Sequence, residues 1–298
     1  MKAATSLRPA WVDDRLFPFE SRFVEIDGNV VHHVDEGAGP TLLMLHGNPT
    51  WSFLYRDVIA GLRDRFRCVA LDLPGFGLSS SAQGYGFSPE EHALVVERFV
   101  RELDLESVTL FLNDWGGPIG LWTAGREPDR YRALAIGNTW AWPVDEDPHF
   151  AGFSRLMGGP IGRFAISNFN AFVNVLLPLG HTRRRLTREE MAHYRRPFPT
   201  RASRTPTNVF PREIVGSSNW LTNVDSGLSF LERLPALILW GDADIAFRAK
   251  ERERFEARFP RHRTHVLRGA GHFVWDDAPE EVLEVFEDWW PSTVLATP

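Results

Sequence analysis

Val108-Thr109-Leu110-Phe111-Leu112-Asn113-Asp114-Trp115-Gly116-Gly117-Pro118 passes from a β-branched, apolar run into a glycine-rich one, and the turn between them decides the fold. Residues 108 to 112 read as a buried strand. Residues 118 to 125 read as a helix with a proline in its first turn and glycines where it must approach a sheet closely. Asp114 therefore stands on a strand-to-helix elbow. Such a turn lifts a nucleophile above the carboxyl edge of a sheet and aims the next backbone N–H, that of Trp115, at the reacting group. An Asp before a helix also serves as a plain N-cap, so this stretch alone leaves both readings open. Leu112 occupies the place, two before the nucleophile, where a serine-type elbow has glycine, and it predicts a less cramped turn.

Outward from the elbow, apolar runs alternate with helix-length segments. Phe23 to Ile26 and Val30 to Val34, joined through Asp27-Gly28-Asn29, predict an N-terminal hairpin. Thr41 to Leu45, Cys68 to Leu71, Ala133 to Ile136, Ala236 to Leu239 and Thr264 to Leu267 read as strands buried on both faces. Glu90 to Leu103 repeats Leu94, Val95, Phe99 and Val100 on one helical face. The order predicts an α/β fold, a mostly parallel eight-stranded sheet flanked by helices with right-handed crossovers. From about Trp140 to Ser218 no strand is legible, and helical pieces carry Phe150, Phe153, Phe164, Phe169 and Phe172, followed by loop markers at Pro197, Pro199, Pro206 and Pro211. This insertion after the sixth strand reads as a helical cap, 140–218, on a core made of 1–139 and 219–298. Most of its Phe residues are assigned to packing and a minority to a ligand cavity.

Composition narrows the partners. A net charge of −6 and a pI near 5.9 argue against nucleic acid or an anionic membrane surface. The densest basic run, Arg183-Arg184-Arg185, reads as a solvated helix face. The single Cys68 fits a small core residue in a reducing, cytoplasmic setting. The first twenty residues show no apolar leader segment, and no window reaches the length of a spanning helix.

An ester on Asp114 needs a water activated by a base. His272, in Gly269-Ala270-Gly271-His272-Phe273 just after the last strand, can bring an imidazole to the sheet edge, although a surface loop histidine is as good a reading in isolation. Trp240-Gly241-Asp242-Ala243-Asp244 offers an orienting acid; Asp244 is placed to turn back towards the histidine, and Asp242 suits a local loop bond. Nucleophile, acid and histidine in this chain order match α/β-hydrolase triads. His46-Gly47-Asn48-Pro49-Thr50-Trp51 follows the first buried strand, where a second oxyanion N–H is supplied. His46 reads as a holder of that loop. The glycines of Asp72-Leu73-Pro74-Gly75-Phe76-Gly77-Leu78-Ser79 lack the spacing of a nucleotide loop and suit a turn.

Together with Ser52-Phe53-Leu54-Tyr55-Arg56 and Val209-Phe210-Pro211-Arg212-Glu213, these motifs make nearly the whole chain resemble a haloalkane dehalogenase of the α/β-hydrolase superfamily. The resemblance implies hydrolysis of a carbon–halogen bond to a primary alcohol, a halide and a proton, through an ester on Asp114, with no cofactor and no metal. Its partners would be a small apolar halogenated substrate, water and a halide ion, with no nucleic acid and no membrane. Trp115 and Asn48 would supply both halide donors and, through their backbone N–H groups, the oxyanion hole. One subfamily places a Trp donor in the cap, where this chain has none between Trp142 and Trp220; another uses a Glu after the sixth strand, where this chain has Asn138. Asp114, His272 and Asp244 with Asn48 and Trp115 therefore resemble a third subfamily, some of whose members form homo-oligomers.

The nearest rival is an epoxide hydrolase, which needs two cap tyrosines where only Tyr194 is present. A fluoroacetate-type enzyme would want arginines beside the nucleophile, and Trp115 stands there. A luciferase-like oxygenase, or a non-enzymatic ligand-binding protein on the same fold, completes the alternatives.

Overall fold

The computed structural model describes residues 8–294, so the leader reading falls partly on residues 1–7, outside the described residues. Eight strands, β1 Arg22–Ile26, β2 Asn29–Glu36, β3 Thr41–Leu45, β4 Arg67–Leu71, β5 Val108–Asp114, β6 Tyr131–Thr139, β7 Ala236–Gly241 and β8 His262–Leu267, form one sheet in the order β1-β2-β4-β3-β5-β6-β7-β8. The β1/β2 and β2/β4 pairs are antiparallel and the rest parallel. Asp27 and Gly28, both at positive φ, make the tight hairpin turn that the right-handed twist of the strands favours. Every residue of β3 and β7 is buried, which explains why their sequences are continuous apolar runs and not alternating ones.

The chain leaves β3 for β4 on one side and returns to β5 on the other. The loops after β3 and β5 thus part at a topological switch point, where open α/β sheets leave a crevice. Asn48 rises from the first loop and Asp114 ends the second strand.

Among the described residues twelve α-helices accompany the sheet: α1 Arg56–Leu62, α2 Pro89–Glu102, α3 Gly116–Arg126, α4 Pro148–Gly158, α5 Pro160–Phe169, the single turn α6 Leu177–Leu179, α7 Arg188–Arg195, α8 Thr205–Gly216, α9 Ser218–Gly227, α10 Ala249–Arg258, the short α11 Val274–Asp277 and α12 Pro279–Trp289. A reciprocal Ser88–Glu91 capping box starts α2. Its buried stripe is His92, Val95, Val96, Phe99 and Val100, while Leu94, expected on that face, is exposed. Helices α4 to α8 fill the interval between β6 and β7. Helix α9 lies on α3, where Trp220 meets Trp122 and Gly227 meets Gly125.

Two local expectations are corrected. Pro206 and Pro211 do not mark a loop but lie in α8, Pro206 in the first turn where its missing N–H has no helical partner to lose. Pro211 sits inside the helix, held there by the burial of Val209, Phe210 and Ile214, so tertiary packing overrides the local breaker. Nor is Arg183-Arg184-Arg185 a solvated helix face: it is a loop between α6 and α7. Arg183 pairs with Glu281, and Arg184 with Glu190. No helix among the described residues is long and apolar enough to cross a membrane.

Candidate active site

Asp114 adopts φ +49°, the left-handed region that costs a non-glycine residue about 1–3 kcal/mol and that surrounding structure must enforce. Thr139 Oγ1 donates to the Asp114 carbonyl at 2.5 Å. A Cβ on Gly47 would lie 2.1 Å from Asp114 Oδ1, one on Gly116 2.1 Å from Leu45 O, and one on Gly117 1.8 Å from Thr139 Oγ1. The turn is therefore tightly packed, against the expectation drawn from Leu112. Leu112 faces the core, and the crowding has moved to the two residues after Trp115 and to the loop opposite.

From that elbow the Asp114 carboxylate meets two neighbours. Its Oδ1 accepts the Asn48 backbone N–H at 2.7 Å, and its Oδ2 lies 3.5 Å from His272 Nε2, beyond good hydrogen-bond length. His272 Nδ1 donates to Asp244 Oδ2 at 2.9 Å, which fixes the tautomer that leaves Nε2 free as a base. The ring is held on both sides. Phe247 stacks on it at 5.4 Å between centroids, and Phe273 meets it edge-on at 4.6 Å.

Asp244 is itself bolted down. Asn138 Nδ2 donates to its Oδ2 at 2.8 Å, the Ala246 N–H donates to its Oδ1 at 2.7 Å, and Asn138 Oδ1 in turn accepts the Gly241 N–H. Burial disfavours a charged His272, but the carboxylates of Asp244 and Asp114 outweigh it and hold the imidazolium pKa up to about 10. An ester on Asp114 would remove one of those two charges. The base would then be released at the step that needs it.

The remaining expected residues fall on the same crevice. Neither the Trp115 indole N–H nor the Asn48 carboxamide NH₂ has a hydrogen-bond partner among the described residues, and both side chains line the cavity above Asp114. The Asn48 Oδ1 is sealed and unpartnered. His46 keeps out of the chemistry: its Nε2 accepts the Leu73 N–H and its Nδ1 donates to Gly47 O, the neutral form that burial favours. Asp242 accepts the Gly269 N–H, a loop bond. In the Asp72–Ser79 turn, the carboxylate of Asp72 gathers the Ser52 and Leu78 N–H groups and His32.

The cavity encloses about 340 Å³. Trp115, Trp140, Phe150, Phe153, Phe172, Leu176, Ile214, Phe247 and Phe273 give it apolar walls, and no tyrosine lines it. Of the five phenylalanines named for this interval, Phe150, Phe153 and Phe172 thus border the cavity, while Phe164 and Phe169 are exposed, so assigning most of the five to packing is corrected. They end on helix faces that look down on Asp114, a placement no periodicity announces. Among the described residues no group of three or more His, Cys, Asp or Glu is placed to hold a metal ion.

Three contributors escaped the sequence. Asn138 braces Asp244. Trp140 fits edge-to-face against Trp115 at 4.6 Å and stacks on Phe247, joining Trp115 to His272 through an aromatic belt. Asn113 ties the elbow to the histidine loop, its Nδ2 donating to His272 O at 3.0 Å and Asn138 O at 3.1 Å. In the sequence Asn113 adjoins the elbow and Asn138 stands after the sixth strand, where another subfamily has its acid; nothing local marks Trp140.

The family of the alpha/beta hydrolase fold matches residues 40–279. The chain is 44% identical over 272 residues to haloalkane dehalogenase 2 of Mycobacterium tuberculosis, covering 91% of this chain and 94% of that one. It is 31% identical to the cis-3-alkyl-4-alkyloxetan-2-one decarboxylase of Shewanella oneidensis over 95% of this chain and 92% of the other. The crystal structure of the haloalkane dehalogenase DbeA from Bradyrhizobium elkani superposes with a TM-score of 0.85 at 27% identity, covering 94% and 100% of the two chains.

Proposed function

The chain belongs to the α/β-hydrolase fold family and, within it, to the haloalkane dehalogenases, and on that premise we propose that it hydrolyses haloalkanes through an ester on Asp114. The observation that carries the mechanism is the division of labour on one carboxylate: Oδ1 docked on a backbone N–H, Oδ2 facing the cavity and His272. Oδ2 attacks the halogen-bearing carbon, a C–O bond forms as the C–X bond breaks, and the halide leaves with the bonding pair. Trp115 Nε1–H and the Asn48 NH₂ receive it, and their bonds strengthen as its charge grows. Water then adds to the ester carbonyl carbon while His272 Nε2 takes its proton. Oδ1, already in place, carries the oxyanion against the backbone N–H groups of Asn48 and Trp115. As the intermediate collapses, protonated His272 gives its proton to the departing alkoxide oxygen to form the alcohol, and the carboxyl group loses a proton to solvent to restore the carboxylate.

The apolar walls favour terminally halogenated alkanes of roughly two to six carbons. Residues 140–218 serve as the cap that supplies most of those walls, through Trp140, Phe150, Phe153, Phe172, Leu176 and Ile214. Tyr194, the one cap tyrosine, is buried and donates to Asp276, which leaves an epoxide oxygen without a proton donor. The unpaired, buried Cys68 suits a reducing, cytoplasmic setting, and a homo-oligomer remains the expectation from the third-subfamily residues. The Shewanella relative supports a second reading, in which the same attack opens a strained four-membered lactone and the leaving group is a carboxylate.

Purified protein incubated with 1,2-dibromoethane and short bromoalkanes should release bromide, and quenched samples should carry an alkyl adduct on Asp114. Asp114→Ala should abolish both. No bromide from any bromoalkane, with carbon dioxide released from a dialkyl oxetanone, would replace this reading with the second one.

A further inference from the structure

The histidine loop is not held by the core alone. The His272 backbone N–H donates to Gly180 O, in the interval between β6 and β7, at 2.8 Å, and the Phe273 N–H reaches the same oxygen at 3.4 Å. The fit leaves no room for side chains: a Cβ on Gly271 would lie 2.3 Å from Gly180 O, and one on Gly180 2.6 Å from the Phe273 ring. Beside this contact lies Asp277, buried at the end of α11. Its carboxylate collects four backbone N–H groups: Gly271 at 2.7 Å from the histidine loop, and Thr182, Arg183 and Arg184, each at 3.0 Å, from the cap segment. Thr182 Oγ1 closes the seam by donating to Gly269 O at 2.6 Å.

An ionised carboxylate that accepts several backbone N–H groups makes strong, directional bonds. Here it gathers two segments that are distant in sequence around one point, one residue from the general base. We propose that Asp277 is a positioning residue for the hydrolytic half-reaction, setting His272 Nε2 over Asp114 by fastening the cap segment 180–184 to the histidine loop. The inference rests on the ester mechanism above. Asp277 touches neither substrate nor the reacting atoms, and alkylation of Asp114 does not call on it, because that step needs no base. Only the water-dependent step depends on where Nε2 points, and a displacement of about 1 Å there is enough to cost up to a hundredfold.

The test separates the two half-reactions in single turnovers with 1,2-dibromoethane, following bromide by rapid quench and the alkyl-enzyme by intact mass. In Asp277→Asn, which keeps the shape but turns an amide NH₂ against N–H donors, the bromide burst should stay within about twofold of wild type while the ester decays about tenfold to a hundredfold more slowly. Thr182→Ala should move decay in the same direction by less. Equal loss of both steps, or unchanged decay, overturns the proposal; if Asp277→Asn does not fold, unchanged ester decay in Thr182→Ala overturns it alone. His272→Ala tells the two readings apart. Should it release no bromide and form no adduct while wild type turns over, the ester mechanism falls; should it trap the adduct while Asp277→Asn decays at the wild-type rate, only the role of Asp277 falls.

Discussion

Two buried clusters of charge lie four residues apart on the chain, one around His272 and one around Asp276, and they are built oppositely. At Asp276 both carboxylate oxygens are closed. Its Oδ1 accepts Arg56 Nη2 at 2.7 Å, its Oδ2 accepts the Tyr194 hydroxyl at 2.6 Å, and His181 Nε2 lies 3.3 Å away. Arg56 also donates to Glu190 Oε1 and Phe53 O and lies over the Phe53 ring. At His272 one contact is left loose: Nε2 stands 3.5 Å from Asp114 beside an open cavity. The same residue types thus serve two ends. A carboxylate bonded at both oxygens joins α7 to α1 and α11 and resists change, whereas a looser contact keeps room for the atoms that arrive with substrate.

Breaking the closed cluster should have the largest effect. Arg56→Leu removes the guanidinium bonded to Asp276 Oδ1 and leaves Glu190 with Arg184 alone, and it should cost about 3–5 kcal/mol in urea unfolding, while bromide release per folded molecule is retained. A parallel fall in kcat would show that the two clusters are not separate in function. Next comes the open cluster: Trp115→Phe keeps the ring but removes one donor, and kcat for bromide release should drop about 10²- to 10³-fold with little change in melting temperature. A variant that melts early but turns over normally would reverse that assignment.

The smallest effect, and the finest discriminator, is pH. Burial would raise the Asp276 carboxyl, but Arg56 and then His181 hold it far below its ordinary 3.8. Its stabilisation is therefore present above about pH 4 and lost as pH falls through the depressed folded value. His272 is shifted the other way, so its contribution is complete below about 6.5 and lost as pH rises through about 10. Melting temperature against pH should show an acid limb flattened by Asp276→Asn and an alkaline limb flattened by His272→Gln, each by a few degrees, at about 2–4 °C per kcal/mol. Assignment of the limbs to the opposite variants would undo the contrast.

The parts legible in the sequence share a physical property: they are local. Strands β3, β5 and β7 are continuous apolar runs, the Asp27-Gly28 turn is written in two residues, and the elbow in five. Asn138, Trp140 and Asp277 act across 106, 25 and 95 residues, on Asp244, Trp115 and Thr182, and no local pattern marks such distances. Where local rules were applied alone they misread the chain. Pro211 has the local look of a loop marker although burial carries it inside α8, and Arg183 to Arg185 that of a solvated face although Arg183 and Arg184 meet acids brought from α7 and α12. Leu112 predicted slack in a turn whose tightness comes from Gly47, on another strand's loop.

The order of the site along the chain sets when it becomes competent during synthesis. Asn48, Asp114 and Trp115 leave the ribosome early, the cap follows, and β8 with His272 comes last. Domains fold as units, and the elbow is bonded through Asn113 to the carbonyl of His272, so under the proposed mechanism turnover begins only when the final strand is laid against β7.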